Sequence, residues 1–374
     1  MAANTPTPPS LASTLDTSIT LCDRFSSSLS PTTSLDLPPS NNADSPSPLL
    51  LLSAAATTLR SQATKISLLA INAPFTPSAI TTCLLPLNES ILTSLVTAAL
   101  LTTPHQFTTA FSRECHSLTA VALRDMQALL RLVQRRSEAG NNKLEISANE
   151  KKEFTEATGR VWDGCDKLVA FAKEGVPGYV VRKSKQWLEL MKDAVKELEE
   201  WDPEEEVDDN DLFGEESSND EASASAEDTA DDDDRAAISA GVKVQALKVL
   251  SRIPQSIHVV IKQRLEKRTV GQEPSANEIT RFGTILKQTR RISELIDESA
   301  EGMYLGDLER CLKKAGEARA ITIQVVESVV QPTSEVETKE DKYVQRALDW
   351  IQKVDPGDVV KENTDLTLRP KVNG

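Results

Sequence analysis

An acidic stretch in the middle of the chain most limits what this sequence can fold into. Between Asp202 and Asp234 there are seventeen Asp or Glu residues and no Lys or Arg. Such a segment buries too little apolar surface to offset the entropy lost on ordering, so it is predicted to be disordered. Helical periodicity resumes on both sides. The stretch is therefore predicted to link two helical domains.

The charge of the chain comes from this stretch and not from the domains around it. The 374 residues have a formal net charge of -15, and the stretch alone contributes seventeen negative charges. The rest of the chain is nearly neutral, since 42 basic residues stand against the 40 remaining acidic ones. A non-specific nucleic-acid binder needs an excess of Lys and Arg on its folded surface. The totals show no such excess, and a local basic patch stays open as the alternative. The sequence also lacks a basic region leading into a heptad zipper, so direct DNA binding is not expected.

The segment before the acidic stretch shows helical periodicity and repeated helix-start signals. One apolar stripe predicts a first helix and comprises Leu11, Leu15, Ile19, Cys22, Phe25 and Leu29. Helices over about 48–71, 77–102 and 104–138 each begin with Ser or Thr followed by Pro, at Ser47-Pro48, Thr76-Pro77 and Thr103-Pro104. The hydroxyl is expected to cap the first turn, while Pro occupies the first helical position. Pro86 is expected to kink or split the second of these helices.

The helix predicted over 104–138 has a clear apolar stripe, made of Phe107, Phe111, Cys115, Leu118, Ala122, Met126, Leu129 and Val133. Capping boxes at Ser147–Glu150, Ser275–Glu278 and Ser334–Glu337 predict three later helix starts. The Gly175-Val-Pro-Gly178 run is expected to end the first of these helices. Pro254 lies inside the apolar register that holds from Val242 to Leu265, which predicts a kink or a restart.

No convincing strand pattern is found, so the chain is predicted to be all-α, with two antiparallel up-and-down helical bundles. The predicted bounds are a disordered tail over 1–9, a bundle over 10–201 with a Pro- and Ser-rich loop at 31–47, the linker at 202–234, a four-helix bundle over 235–353 and a disordered tail over 354–374. The most apolar window, Leu84–Leu101, contains several polar residues and is predicted to be a core helix, so no membrane span is expected.

The sequence is poor in catalytic and metal-binding patterns. Its five cysteines form no CxxC pair, and they are predicted to be reduced and mostly buried. Cys115 and His116 are adjacent, but neighbouring helical residues point about 100° apart and cannot act as a nucleophile and base together. No HxxxH or HExxH pattern occurs, so a zinc site is improbable. We predict no catalytic, cofactor-binding or metal-binding residues, no cofactor and no enzyme activity.

Two features of the helices favour structural roles over binding roles. The Gly159 to Gly164 run lies in a helical pattern without a preceding strand, so close helix packing with Trp162 filling space is favoured over nucleotide binding. Basic clusters are interpreted as solvated helix faces, with docking of an acidic partner or of the acidic stretch itself as the alternative. They comprise Arg131, Arg135, Arg136, Arg182, Lys183, Lys185, Lys262, Arg264, Lys267, Arg268, Arg290 and Arg291.

The acidic stretch also contains candidate phosphorylation sites. Ser217, Ser218 and Ser225 are each followed three residues later by an acid. This spacing suits an acidophilic kinase, and each phosphate would add about -1.5 to -2 charges. The alternative is a stretch that only improves solubility.

Several motifs together resemble the cyclin-D1-binding protein family, also called Grap- and cyclin-D-interacting proteins. They are Thr158-Gly-Arg-Val-Trp-Asp-Gly-Cys165, Val176-Pro-Gly178, the Lys192–Leu198 helix before the acidic run, and Ser251-Arg-Ile-Pro254. The residues of this sequence that carry the resemblance most directly are Thr158, Gly159, Val161, Trp162, Cys165, Pro177 and Pro254. The Pro- and Ser-rich stretch from Pro31 to Pro48 departs from the family pattern.

The resemblance implies an all-helical protein of two bundles, similar in architecture to vinculin- and catenin-type bundles. It also implies a non-enzymatic regulator that binds other proteins in the cytoplasm and nucleus. The partners it implies are cyclin-like or helix-loop-helix regulators, and the role is negative regulation of cell-cycle progression and transcription. Oligomeric state stays open. The alternative function is a cytoskeletal or adhesion adaptor of the vinculin-like class. An enzyme with an unrecognised helical active site is the third and least favoured interpretation.

Overall fold

The structure is a computed structural model that describes residues 10–30, 47–140, 145–202, 229–267, 274–330 and 338–354, with the backbone alone for 229–236. Every regular element in these ranges is helical and none of them is a strand, which confirms the predicted all-α class. The vinculin-like arrangement of two bundles stays a prediction.

The first seven helices precede the acidic stretch. They are α1 (Leu11–Ser28), α2 (Pro48–Ile71), α3 (Pro77–Pro86), α4 (Leu92–Leu100), α5 (Pro104–Phe107), α6 (Thr109–Glu138) and α7 (Ala148–Glu200). The later helices are α8 (Thr229–Leu250), α9 (Arg252–Val260), α10 (Ala276–Tyr304), α11 (Leu308–Val329) and α12 (Lys339–Gln352). Two short π-helical turns, Leu87–Ile91 and Ile261–Leu265, follow α3 and α9.

Backbone contacts divide the chain into two compact units. The first comprises Met1–Tyr179 with Glu273–Gly283, and the second comprises Val180–Gln272 with Thr284–Gly374. The division assigns the residues from Val180 to Asp202 to the second unit, whereas the sequence-based boundary lies at Trp201. The predicted linker falls mostly on 203–228, outside the described residues, so the predicted domain bounds as a set stay a prediction.

In the first unit, α1 packs along α6 and against α3, while α2 packs against α4 and α6. The stripe predicted on α6 forms its buried face, since Phe111, Cys115, Ala122, Met126, Leu129 and Val133 are buried. Leu118 is only half-buried. The core of this unit therefore follows the three- and four-residue spacing read from the sequence.

For the three Ser/Thr-Pro helix starts, the predicted position of Pro is confirmed but the predicted hydroxyl cap is not. Pro48, Pro77 and Pro104 each occupy the first turn of a helix. The preceding hydroxyls do not cap these helices, so the predicted capping role was wrong. Thr76, for example, donates its hydroxyl proton to the carbonyl of Pro74 at 3.2 Å. Pro removes one of the orphan amide donors, and the starts form without the hydroxyl bond.

Pro86 splits its helix as expected, and the split takes the form of a π-helical turn. Helix α3 ends at Pro86, the π-helical turn Leu87–Ile91 follows, and α4 begins at Leu92. Proline has no amide proton and clashes with the carbonyl one turn earlier. A π-type widening absorbs this disruption without ending the helical path. Leu84, Leu87 and Ile91 stay buried across the turn, so the apolar face survives it.

The single helix predicted over 104–138 is wrong at its start. The chain forms the short α5 and then breaks at Thr108, whose φ of 67° and ψ of 148° are not helical. The Thr108 hydroxyl accepts a hydrogen bond from the amide of Phe111 at 3.2 Å and caps α6. Phe107 therefore lies on α5 and not on the α6 stripe.

Two of the three predicted capping boxes are confirmed. Ser147 and Glu150 exchange the expected bonds, with Glu150 accepting from the Ser147 amide at 2.8 Å. Ser275 and Glu278 do the same at 2.9 and 3.3 Å. The third, Ser334–Glu337, lies outside the described residues.

The glycine of the Gly175-Val-Pro-Gly178 run breaks the helix, as the sequence predicts. Gly175 has φ 63° and ψ -176°, a conformation almost confined to glycine, and it kinks α7. Helical geometry resumes at once, so Pro177 lies in the first turn after the break. Its missing amide proton is harmless at that position.

The second unit contains the restart predicted at Pro254. Helix α8 ends at Leu250, and α9 begins at Arg252 with Pro254 in its first turn. Ile253, Ile257 and Val260 are buried, so the apolar register continues across the restart. Helix α11 packs against α8, α9 and α12.

A capping box and the guanidinium group of Arg264 hold the start of α12 in place. Thr338 and Asp341 exchange the capping-box bonds. Arg264 bonds both to Asp341 and to the carbonyl of Val329 at the end of α11, the latter at 3.0 Å. The bonds from the Thr338 hydroxyl, the Arg264 guanidinium and the Thr338 amide lower the pKa of Asp341 to about 2.

The depressed pKa of Asp341 predicts a pH-dependent contribution to the stability of the second unit. The contribution is fully present above the ordinary pKa of 3.8 and is lost as the pH falls towards about 2. We expect Asp341→Asn to lower the thermal unfolding midpoint at neutral pH. The difference from the parent should begin to shrink below about pH 4, because the parent carboxylate is then being protonated. Asp349→Asn, on the exposed side of α12, is the control. A difference that stays constant down to about pH 3 would contradict the prediction.

Candidate functional site

The cysteines behave as inert core residues. Cys22, Cys115, Cys165 and Cys311 are buried, Cys83 is half-buried, and all five are free thiols. Burial raises the pKa of the Cys22 and Cys165 thiols to about 12 and that of Cys115 to about 11. A thiol in this state is a poor nucleophile and a poor metal ligand at neutral pH.

Cys115 and His116 have separate environments, as their adjacency on a helix predicts. The Cys115 thiol lies in the core near the hydroxyls of Thr102 and Thr119. His116 is half-buried, and its Nε2 lies 3.0 Å from the carbonyl oxygen of Ala99. Burial lowers the pKa of His116, which favours its neutral form. Across the described ranges, no group of three or more His, Cys, Asp or Glu residues is arranged to hold a metal ion.

The family-motif residues of α7 lie mainly on its buried face. Val161 and Cys165 are fully buried, and Thr158 is nearly so. The Thr158 hydroxyl lies 2.8 Å from the Ser67 hydroxyl of α2 and 2.6 Å from the carbonyl of Phe154. The contact with Ser67 joins α7 to α2, whereas the contact with Phe154 lies within α7. Pro177 and Pro254 each lie in the first turn of a helix after a break, which is a structural role.

Trp162 links α7 to α2 through polar bonds as well as packing. Its indole Nε1 donates to the hydroxyl of Thr64 at 3.0 Å, and the Arg60 guanidinium lies 5.0 Å from its ring centre. Arg60 also pairs with Asp166 at 3.0 Å. The half-buried ring thus already has a cation and a hydrogen-bond acceptor. We interpret Trp162 as part of the helix packing.

The glycines of the motif differ in their surroundings. A Cβ on Gly164 would lie 3.4 Å from Ala122, so α6 and α7 approach closely there, as the sequence predicts. A Cβ on Gly159 would meet nothing within 4 Å. Close helix packing therefore explains Gly164 but not Gly159.

An open cleft of about 600 Å³ runs between α6 and α7 in the first unit. The half-buried Ala128 and Leu132 form its apolar part. Charged and polar residues line the rest, namely Arg131, Gln134, Arg135, Glu153, Glu156 and Arg160. An apolar strip between charged edges is the surface that an amphipathic helix of another protein can occupy.

The charges around this cleft are only partly neutralised within the unit. Arg135 pairs with Glu153 at 2.8 Å, and Arg160 lies 3.8 Å from Asp125. Within the described part of the chain, Arg131 has no ion-pair partner. Sequence reasoning found Arg131 and Arg135 as part of a basic cluster but missed Arg160, Glu153 and Glu156. The available signal for the two glutamates was their spacing of three, which places them on one side of α7.

The other basic clusters are largely paired with carboxylates. Within the second unit, Lys185 and Lys262 both contact Glu266, and Lys267 contacts Glu340. Arg290 and Arg291 pair with Glu294, and Arg291 also reaches Glu298. Arg136 is buried beside the Phe75 ring, with the guanidinium 5.8 Å from its centre. Arg268 lies outside the described residues.

Two further predictions concern the serines of the acidic stretch and the most apolar part of the chain. Ser217, Ser218 and Ser225 lie outside the described residues, so their phosphorylation stays a prediction. Pro77–Leu100 is long and apolar enough to cross a membrane, with a mean hydropathy of 1.4. A core helix meets the same criteria, and Ile80, Leu84 and Leu95 of this stretch are fully buried. We retain the interpretation as a core helix.

These features define an all-α protein whose first unit presents an open cleft between two helices. Residues 51–204 match the model of one protein family, described as Grap2 and cyclin-D-interacting, N-terminal. The match confirms the resemblance to the cyclin-D-interacting proteins and includes both α6 and α7. A comparison with curated proteins finds no match.

Proposed function

We propose that this chain is a non-enzymatic regulator that acts by binding other proteins in the cytoplasm and nucleus. A D-type cyclin or a Grap2-like adaptor is the proposed partner, and restraint of cell-cycle progression and transcription is the proposed outcome. The observation that carries the proposal is the family match over 51–204, whose description names interaction with Grap2 and cyclin D.

The α6–α7 cleft is the proposed contact surface for the partner. It lies within the matched residues, and its apolar strip of Ala128 and Leu132 is flanked by charges on both helices. A partner helix can place apolar residues at three- and four-residue spacing on such a strip. Arg131 can then pair with a carboxylate of the partner, because it has no ion-pair partner within the part of the chain that the structure describes.

A substitution that fills the cleft tests this proposal. We expect Ala128→Arg to weaken binding to a D-type cyclin or a Grap2-like adaptor at least tenfold, because the longer side chain occupies the apolar strip. Ala120→Arg is the matched control, since Ala120 is also half-buried on α6 but does not line the cleft. Binding is measured by calorimetry on the full chain, with thermal unfolding midpoints to confirm folding.

Equal effects of the two substitutions on binding would contradict the assignment of the contact surface. Actin co-sedimentation, run with the same proteins, tests the vinculin-like alternative. Co-sedimentation with actin, together with no binding of either proposed partner, would favour that alternative over a cyclin-binding role.

A further inference from the structure

A second cleft, in the second unit, lies where α7 ends. It has a volume of about 600 Å³ and is lined by Asp193, Lys196, Glu197, Glu200, Trp201 and Tyr304. The Trp201 and Tyr304 rings meet edge to face, with centres 5.4 Å apart and planes at 62°. Tyr304 is 38% exposed, and Trp201 is half-buried. The two rings form an aromatic wall that a ligand can reach.

The backbone holds Trp201 in position without a ligand. Its amide donates to the carbonyl of Glu197 at 2.9 Å, which continues the helical bonding by one residue. The Lys243 ammonium donates to the carbonyls of Glu199 and Trp201, the first at 2.9 Å. A cation at the C-terminal end of a helix satisfies orphan carbonyls and complements the helix dipole. The aromatic wall is therefore preorganised.

The charges beside the aromatic wall are mostly negative, and half of them are unpaired within the described part of the chain. Three carboxylates and one ammonium line the cleft, and Lys196 is paired with Glu200 at 3.4 Å. Among the described residues, Asp193 and Glu197 have no ion-pair partner. Burial and the charges of Glu197 and Glu294 raise the pKa of Asp297, which places a further carboxyl group in the field of Glu197. A bound cation would relieve this repulsion.

We propose that this cleft binds a basic segment of a partner protein, with a Lys or Arg side chain against the Trp201 and Tyr304 rings. The aromatic faces attract a cation through their quadrupoles, and the carboxylates of Asp193 and Glu197 pair with it. An acidic helix face alone would not be a site. Here the exposed aromatic pair provides a place where the cation can be partly desolvated.

The acidic stretch that begins at Asp202 is excluded by its charge as the occupant of this cleft. Its seventeen carboxylates would be repelled by Glu197 and Asp193. The same charges lie next to Trp201 in the chain and increase the rate at which a basic partner arrives. The cleft shares no residue with the α6–α7 cleft, so the two proposals are independent.

Binding of a basic peptide to matched tryptophan variants tests the aromatic wall. The probe is a fluorescein-labelled eight-residue peptide of Lys, Arg and Gly, measured by fluorescence polarisation on the full chain at about 0.15 M salt. We expect Trp201→Ala to weaken binding about five- to tenfold, because the cation–π contact is lost. Trp187→Ala is the control, since Trp187 lies on the same helix but does not line the cleft. Its affinity should stay within about twofold of the parent.

A second matched pair of variants distinguishes binding in the cleft from general electrostatic attraction of the basic peptide to the acidic chain. Glu197→Gln and Glu199→Gln change the net charge equally, but only Glu197 lines the cleft. We expect at least a threefold larger loss of affinity for Glu197→Gln. Equal losses for the two glutamate variants, an unchanged affinity for Trp201→Ala, or equal binding of an apolar peptide would each overturn the proposal.

Discussion

Replacement of Phe111 by alanine is expected to destabilise the first unit by about 3–5 kcal/mol. Phe111 is fully buried, and its ring centre lies 4.2 Å from Phe171 and 5.3 Å from Tyr179. The substitution removes these contacts and leaves a cavity that the surrounding helices can only partly fill. Tyr179 also donates its hydroxyl proton to the carbonyl of Ala110 at 3.2 Å, so the cavity lies beside a fixed polar contact.

Hydrogen exchange of the α6 amides in the full chain measures this effect in the first unit itself. Phe107→Ala is the control, because Phe107 stacks on Phe111 at 5.7 Å but is only half-buried at the edge of the aromatic cluster. The loss in the free energy of unfolding for Phe107→Ala should be less than half of the loss for Phe111→Ala. Similar losses at the two positions would mean that the cluster does not centre on Phe111.

Gly302→Ala is the second substitution with a large expected effect, because Gly302 lies where α10 meets the start of α11. A Cβ there would lie 2.9 Å from the amide nitrogen of Cys311 and 3.1 Å from the carbonyl oxygen of Asp307. Both are backbone atoms and cannot rotate away. The helices would have to separate, which also strains the 2.8 Å bond from the Ser299 hydroxyl to the Cys311 carbonyl. We expect a loss of about 1–3 kcal/mol in the free energy of unfolding of the second unit.

A second glycine in α10 provides the control for this effect. A Cβ on Gly283 would meet nothing within 4 Å, so Gly283→Ala gains only the better helix propensity of alanine. Gly283 belongs to the first unit, which this substitution should stabilise by roughly 0.5–1 kcal/mol. Denaturant unfolding of both variants checks the opposite signs. Two changes of the same sign would show that the approach of α10 and α11 does not determine the effect.

Local features of this structure could be predicted from the sequence where they depend only on residues close together in the chain. The capping boxes at Ser147 and Ser275 formed because both partners lie within one turn. Pro86 and Pro254 interrupted their helices because a proline within a helical pattern removes a hydrogen bond and clashes with the carbonyl one turn earlier. The break at Thr108 was missed because the apolar spacing from Phe107 to Phe111 continues across it. A hydroxyl cap at Thr108 outweighed this periodicity, and only the packed structure reveals it.

The two clefts and the contacts between helices were predicted less well, because residues from separate segments of the chain form them. The sequence identified Arg131 and Arg135 of the α6–α7 cleft, but not Arg160, the carboxylates of the cleft or its apolar strip. It identified Trp162 as a space-filling residue, but not its bonds to Thr64 and Arg60. The contact of Trp201 with Tyr304 joins residues about a hundred positions apart, and no local pattern indicates it. The close approach at Gly302 has the same origin, since it depends on how two helices pack.

Direct binding between the purified full chain and a purified partner tests the central claim that this protein acts by binding other proteins. Calorimetry is performed with a D-type cyclin of the same organism and, separately, with a Grap2-like adaptor. We predict saturable one-to-one binding to at least one of them, with a Kd of about 1 μM or tighter, which corresponds to about -8 kcal/mol. The absence of saturable binding to either partner at concentrations of about 100 μM would contradict the account.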